Sequence, residues 1–114
     1  MSFFKQLFGM GTAALSAVEA QERIKNEGKN LFLLDVRQPE EYKQGHIAGS
    51  KLIPLGELSN RLKEIPQDKE ILCICRSGSR SSMAASQLAQ AGYKVINLSG
   101  GMMSWSAAGL PMKK

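Results

Sequence analysis

Apolar runs alternate with amphipathic stretches along this chain. Residues 31–34 and residues 71–74 are each continuously apolar, as expected of strands that are buried on both faces. Shorter runs at residues 51–54 and residues 93–98 also predict strands. The stretches with apolar residues at helical spacing are residues 16–27, 40–44, 56–65, 81–91 and a last segment from residue 102. Four strands alternating with helices predict an α/β domain, with a mostly parallel central sheet and helices on both of its faces.

Capping signals mark the ends of two of these helices. Ser16 is followed three residues later by Glu19, which is the spacing of a capping box, and Gly28 is suited to end that helix. Pro39 fits the first turn of the short second helix, and Gly45 fits its end. The folded domain is therefore expected to begin at Ser16.

The segment before Ser16 has a different character. Residues 1–15 are mostly apolar but are interrupted by Gly9 and Gly11. The segment is too short to span a bilayer, so we expect no transmembrane segment, and it lacks the basic start of a signal peptide. We expect an N-terminal arm over residues 1–15, either flexible or docked on the domain, a partner or a membrane surface, and a domain over residues 16–114.

The connection after the third predicted strand carries the candidate chemistry. The strand ends at Cys75, and the loop that follows consists of Arg76, Ser77, Gly78, Ser79 and Arg80. Backbone N–H groups in such a loop, together with the start of a helix at Ser81, attract anions. A thiol held there should have a lowered pKa and act as a nucleophile. The alternative is a buried strand cysteine followed by an ordinary helix start.

Composition and charge narrow the function classes. The 114 residues suit one domain, and 43% hydrophobic with 22% charged residues is ordinary for a globular protein. The net charge is +5, but the basic residues are scattered, which argues against nucleic-acid binding and leaves room for a small anionic substrate. Cys73 and Cys75 are too close in sequence for a stabilising disulfide, so we expect two thiols in a reducing compartment, the cytoplasm.

Several polar residues are weaker candidates for catalysis. His46, the only histidine, could deprotonate Cys75, although a loop histidine bonded to backbone is the simpler interpretation. Asp35, Arg37 and Glu41 could act as acids or bases, although a structural ion pair at a strand end is favoured over catalysis.

The second cysteine also has two interpretations. Cys73 lies two residues from Cys75 and therefore on the same strand face. It could act as a resolving thiol, although a buried core thiol is favoured. Because a C-x-C pair with one distant histidine is a poor zinc site, we expect no metal.

Three motifs match one known family. The first comprises Asp35, Val36, Arg37, Pro39, Glu41, Gly45, His46, Ile47, Gly49, Ile53 and Pro54. The second runs from Cys75 to Arg80, and the third comprises Gly100, Gly101, Trp105, Gly109, Leu110 and Pro111. In this order and spacing they resemble the signatures of rhodanese (thiosulfate sulfurtransferase) domains, over about residues 16–112.

The resemblance implies a fold and a reaction. The rhodanese fold has a parallel sheet of about five strands flanked by helices. Cys75 would take the outer sulfur of thiosulfate or a similar donor as a persulfide, and pass it to cyanide in an assay or to a thiol or protein in the cell. The loop N–H groups would hold the persulfide, while Arg76 and Arg80 would attract the anionic donor. The reaction requires no cofactor or metal, and we expect a monomer.

Other functions stay open at this point. Cysteine phosphatases carry an arginine six residues after the nucleophile, whereas here that position is Ser81 and Arg80 is the fifth, so the loop is one residue short. The domain could be a persulfide carrier or sensor that docks a partner through its arm, with little turnover of free thiosulfate. It could also be a silent binding module, although inactive relatives typically lack the cysteine found at Cys75.

Overall fold

The computed structural model describes residues 13–114, which contain one five-stranded sheet. Its strands are β1 (Ala13–Leu15), β2 (Leu31–Asp35), β3 (Lys51–Leu52), β4 (Glu70–Ile74) and β5 (Lys94–Leu98). They lie in the order β1-β5-β4-β2-β3, and every neighbouring pair is parallel, which confirms the predicted α/β class. Because all strands run in one direction, their carboxyl ends meet at one edge of the sheet, where ligands bind in such folds.

Helices cover both faces of the sheet. They are α1 (Ala17–Glu27), α2 (Pro39–Gln44), α3 (Ser79–Gln90) and α4 (Gly101–Ala107). Ser16 and Glu19 form the predicted capping box at the start of α1. The buried apolar side chains of α3 belong to one core cluster, and those of α1 and α4 belong to another, so the sheet separates two apolar layers. Within residues 13–114, no helix is both long enough and apolar enough to cross a membrane.

The edge strand β1 lies inside the segment that we assigned to the arm. It pairs with β5, from Ala13 opposite Ile96 to Leu15 opposite Leu98. Two alanines and a leucine contain no β-branched residue and no polar alternation, so the local sequence does not indicate a strand, and only the pairing with β5 defines it. This is the fifth strand that the family resemblance implied. The other arm residues, 1–12, lie outside the described residues.

The stretch at residues 56–65 differs from its helical pattern. It forms two 3₁₀ turns, Leu55–Asn60 and Leu62–Glu64, instead of an α-helix. Glycine, serine and asparagine within it have low helix propensity, so a continuous helix is not favoured. Leu58 and Ile65 are nevertheless buried in the core, which explains the apolar spacing.

Candidate active site

The sulfur of Cys75 lies at the base of the loop between β4 and α3. Cys75 is buried, and its Sγ accepts hydrogen bonds of 3.0 Å from the Gly78 N–H and 3.3 Å from the Ser81 hydroxyl. Burial by itself raises the pKa of the thiol. Hydrogen bonds from the Ser81 side chain and from the N–H groups of Ser81, Gly78 and Ser77 outweigh burial, so the pKa of Cys75 is lowered. A lowered pKa favours the thiolate, which is the nucleophilic form of a cysteine side chain.

Gly78 turns the chain into the helix beside the sulfur. Its φ of +104° lies in the left-handed region, which favours glycine. This turn starts α3 at Ser79, two residues before the helix start predicted at Ser81. Ser79 and Arg80 therefore belong to the first turn of α3, whose N–H groups have no partner within the helix and carry the positive end of its dipole. That arrangement stabilises negative charge on or beside Cys75.

The start of α4 supports the loop from its other side. The Met102 N–H donates to the Cys75 carbonyl at 2.8 Å, and the Met103 N–H donates to the Arg76 carbonyl at 2.9 Å. The contact requires Gly101, because a Cβ there would collide with the Cys75 carbonyl oxygen and lie 2.6 Å from the Arg76 carbonyl carbon. These hydrogen bonds hold two loop carbonyl groups toward α4, while the N–H groups of Ser77 and Gly78 face the sulfur.

Two residues that contact this site were not among the predicted site residues. The buried Ser81 hydroxyl also hydrogen-bonds Asn97 Oδ1. Asn97 lies in β5, and its amide donates to the Gly78 carbonyl at 3.3 Å. A polar residue inside an apolar strand was the available signal for Asn97. Ser81 carried no such signal, because a serine at a helix start has an ordinary explanation as a cap.

Arg80 is paired with a residue that the sequence did not place near the loop. Its guanidinium donates two hydrogen bonds of 2.8 Å to the two carboxylate oxygens of Glu41 in α2. The hydrogen bond from Arg80 is the main reason that the pKa of Glu41 falls to about 2, and the same bond raises the pKa of Arg80. The charge of Arg80 is therefore largely compensated within the protein.

A buried ion pair lies next to α2. Arg37 and Asp35 are both buried, and the guanidinium donates to the Asp35 carboxylate at 2.8 Å. The same guanidinium donates to the Gly45 carbonyl at the end of α2 at 2.8 Å. The predicted ion pair at a strand end is thus formed by Asp35 and Arg37, while Glu41 contacts the loop.

Arg76 has a different environment from Arg80. It is exposed, and within residues 13–114 it forms no ion pair. It borders a cleft of about 370 Å³, whose other lining residues are Arg37, Glu41, Gln44, Gly45, Met102, Ser106 and Met112. Among the two arginines of the loop, Arg76 is the one whose charge is free to attract an anion.

Cys73 and His46, the other residues that the sequence suggested for catalysis, lie in environments that indicate structural roles. Cys73 is buried, and burial raises its pKa to about 12, so it has the character of a core thiol. His46 stacks on Tyr42 with 3.7 Å between ring centroids, and its Nδ1 lies 2.8 Å from the Tyr42 carbonyl, which confirms the backbone-bonded interpretation. In the part of the chain that the structure describes, no group of three or more His, Cys, Asp or Glu residues could hold a metal ion.

The fold is a parallel α/β domain, and the candidate site is a loop centred on the Cys75 thiol. A sequence model of the Rhodanese-like domain family matches residues 16–108. The chain is 40% identical over 85 residues to a protein named sulfurtransferase from Allochromatium vinosum, across 74% of this chain and 79% of that protein. A rhodanese-related protein from Thermoplasma volcanium has a solved structure with a TM-score of 0.82 and 36% identity, across 89% of this chain and 97% of that one. The chain belongs to the rhodanese-like domain family.

A further relative bears a different name. The chain is 43% identical over 91 residues to "Putative sulfur carrier protein YrkF" from Bacillus subtilis. The match covers 79% of this chain but only 49% of that protein. The chain therefore spans about half the length of this relative.

Proposed function

We propose that this protein is a sulfurtransferase that carries a sulfane sulfur as a persulfide on Cys75. The observation that carries this proposal is the position of the Cys75 sulfur, which accepts hydrogen bonds from the Gly78 N–H and the Ser81 hydroxyl. These hydrogen bonds lower the pKa of the thiol. Membership of the family supports the same chemistry, because relatives are named for sulfur transfer and for sulfur carriage.

The proposed reaction has two displacement steps on sulfur. In the first, the Cys75 thiolate attacks the outer sulfur of thiosulfate, a new S–S bond forms, and the old S–S bond breaks with its electron pair leaving on sulfite. In the second, a nucleophilic acceptor attacks the outer sulfur of the persulfide, and Cys75 leaves as a thiolate. Cyanide serves as the acceptor in an assay, and a thiol or protein serves in the cell. Both steps balance without a redox cofactor.

The loop would bind the negative charge that moves through these steps. The N–H groups of the first turn of α3 have no partner within the helix, so they can hold the terminal sulfur of the persulfide. The exposed guanidinium of Arg76 would attract an anionic donor such as thiosulfate. Arg80 would contribute less to this attraction, because Glu41 compensates its charge.

The same geometry argues against phosphate chemistry. A phosphatase loop of this kind uses its arginine to bind two oxygens of the phosphate, so the guanidinium has to be free. In this chain both terminal nitrogens of Arg80 donate to Glu41. The loop is also one residue shorter than that of the phosphatases.

A persulfide carrier is the second candidate function. The similarity to "Putative sulfur carrier protein YrkF" favours it. A carrier would form the same persulfide on Cys75 but would turn over slowly with small acceptors and faster with a partner protein. We propose the cytoplasm as its location, in keeping with two free thiols.

Intact-mass spectrometry after thiosulfate treatment tests the proposed function. We expect a mass gain of one sulfur atom, removal of that gain by cyanide, and no gain in Cys75→Ser. Cys73→Ser is the matched control, because it removes the other thiol, and it should gain the sulfur like the wild type. A persulfide that forms but reacts slowly with cyanide would favour the carrier. No gain with thiosulfate or any other sulfane donor would contradict both candidates.

A further inference from the structure

The hydroxyl of Ser81 has more hydrogen-bond acceptors than protons. Its Oγ lies 3.3 Å from Cys75 Sγ and 3.3 Å from the Gly78 carbonyl oxygen, and it also bonds Asn97 Oδ1. A serine hydroxyl has a single proton to donate. Ser81 is buried, so water does not readily replace any of these partners. The hydroxyl can donate its proton to only one of these acceptors at a time, so the sulfur and the two oxygens compete for it.

Asn97 is held so that it offers an acceptor to Ser81. Its amide nitrogen donates to the Gly78 carbonyl at 3.3 Å, which turns the amide oxygen toward the Ser81 hydroxyl. Asn97 comes from β5, next to β4 in the sheet, so the sheet places its backbone and the loop orients its side chain. An amide oxygen accepts hydrogen bonds but does not donate, so Ser81 is the donor whenever these two groups are hydrogen-bonded.

We infer that Ser81 is a catalytic residue whose hydroxyl donates to Cys75 Sγ when this sulfur is a thiolate, and to Asn97 when the sulfur is uncharged. The part of this inference that concerns transfer to an acceptor rests on the proposed function. A hydrogen bond to a charged acceptor is stronger than one to a neutral acceptor, so the thiolate attracts the proton away from Asn97. Asn97 is a positioning residue in this scheme.

The negative charge on Cys75 Sγ changes in opposite directions in the two proposed steps. When the persulfide forms, the negative charge moves from Sγ to the outer sulfur, so Sγ no longer needs a donor. When an acceptor takes the outer sulfur, the S–S bond breaks and its electron pair returns to Sγ. Ser81 then stabilises the leaving thiolate as its charge develops. Loss of the hydroxyl should therefore slow the acceptor step.

A titration of the thiolate tests the first half of the inference without any sulfur donor. The ultraviolet absorbance of the Cys75 thiolate is followed against pH in wild type and Ser81→Ala, each after subtraction of Cys75→Ser. We expect the midpoint in Ser81→Ala to lie higher by about 1 pH unit, as the loss of one charge-assisted hydrogen bond implies. Ser81→Thr keeps a hydroxyl and should stay near the wild type. Ser82→Ala removes the neighbouring exposed serine and should not move the midpoint.

A single-turnover measurement tests the second half. Each protein is loaded with sulfur from thiosulfate, freed of donor, and mixed with cyanide, and thiocyanate formation is timed. We expect Ser81→Ala to react about tenfold more slowly than wild type and Ser82→Ala to react at the wild-type rate. Thermal unfolding of all variants confirms that they are folded, and Ser81→Val beside Ser81→Thr repeats the comparison at matched size if the alanine variant does not fold.

Each outcome separates this inference from the proposed function. An unchanged titration midpoint in a folded Ser81→Ala would overturn the assignment of Ser81, whether or not sulfur transfer occurs. A raised midpoint in a protein that gains no sulfur from any donor would support the role of Ser81 toward the thiolate and reject the proposed function. A raised midpoint with an unchanged acceptor step would reject the leaving-group role.

Discussion

The guanidinium of Arg80 and the carboxylate of Glu41 form two hydrogen bonds of 2.8 Å, which tie the first turn of α3 to α2 across 39 positions of sequence. The pair sets the charge around the candidate site. It compensates Arg80, and it keeps Glu41 ionised because the pKa of that carboxyl is lowered to about 2. Arg76, on the same loop, forms no ion pair within the described residues and remains a free cation.

Donor selectivity should therefore depend on Arg76 more than on Arg80. We expect Arg76→Ala to lower kcat/KM for thiosulfate about three- to fivefold relative to an uncharged organic trisulfide, as loss of one solvent-screened attraction implies. Arg80→Ala should lower kcat/KM for both donors alike, since its main partner is Glu41. Steady-state rates with the two donors, at low and high salt, measure this ratio of kcat/KM values for each variant. A larger selective loss in Arg80→Ala would show that Arg80 acts directly on the donor.

The Arg80–Glu41 pair should also make stability depend on pH in the acid range. The folded protein holds the pKa of Glu41 near 2, below its unfolded value of 4.5, so the pair stabilises the fold above pH 4.5 and loses its effect as pH falls toward 2. The two side chains are 33% and 27% exposed, and solvent screening limits the contribution to about 1 kcal/mol.

Urea unfolding of Glu41→Gln measures this contribution. At pH 7 we expect its free energy of unfolding to be lower than that of the wild type by about 1 kcal/mol, and the difference to close as pH falls toward 2. Glu40→Gln is the matched control, because Glu40 is the exposed neighbour of Glu41. A difference that persists unchanged at pH 2 would mean that the substitution acts through packing and not through charge.

Gly101 should be indispensable for the close approach of α4 to the loop. Gly101→Ala combines a backbone φ of +55° with a collision against the Cys75 and Arg76 backbone. We therefore expect its free energy of unfolding to be lower than that of the wild type by about 3 kcal/mol or more. Gly109→Ala is the control, since its φ is +72° but nothing lies within 4 Å of the added Cβ, and it should cost only about 1–2 kcal/mol.

Chemical denaturation measures the free energy of unfolding of each glycine variant. The thiolate titration of Cys75 then shows whether the loop has changed in a variant that stays folded. We expect a raised midpoint in Gly101→Ala alone, because only its Cβ contacts the backbone of the thiol loop. Equal effects in both variants would mean that backbone strain, and not contact, accounts for the result.

The buried Asp35–Arg37 pair predicts a strong asymmetry between single and double substitution. Arg37→Met leaves the Asp35 carboxylate buried without its partner, and we expect the free energy of unfolding to fall by about 3–5 kcal/mol. The double variant Asp35→Leu with Arg37→Met leaves no buried charge and should recover much of that loss. Urea unfolding of the three proteins measures the coupling. If the double variant is as unstable as Arg37→Met, the hydrogen bond from Arg37 to Gly45 is the larger contribution.

Much of the site could be predicted because its signals are local. The apolar run of β4, the small residues after it and the helical pattern beyond lie within a short stretch, so they indicate a thiol at a helix start without any knowledge of the rest of the chain. Cys75 and the residues from Arg76 to Arg80 are brought together by this one connection. The ordered motifs extended the prediction to the family and to a five-stranded parallel sheet.

The approach of the supporting residues to the loop could not be predicted, even for Glu41 and Gly101 of the family motifs, because they come from other elements. Glu41 belongs to α2, Asn97 to β5 and Gly101 to α4, and sequence separation hides their approach to the loop. Strand β1 is a similar case, since two alanines and a leucine become a strand only by pairing with β5.

The amino-acid sequence by itself determined that a thiol would end a buried strand and meet the start of a helix, because chain connectivity and hydrophobic periodicity act over a few residues. Only the tertiary structure decided which groups surround that thiol. Packing of α4 against the loop holds loop carbonyl groups away from the sulfur, toward which the Gly78 N–H points. The ion pair with Glu41 compensates the charge of Arg80. These contacts depend on which strands lie side by side in the sheet, and that order is set by burial of the whole core and not by any local pattern.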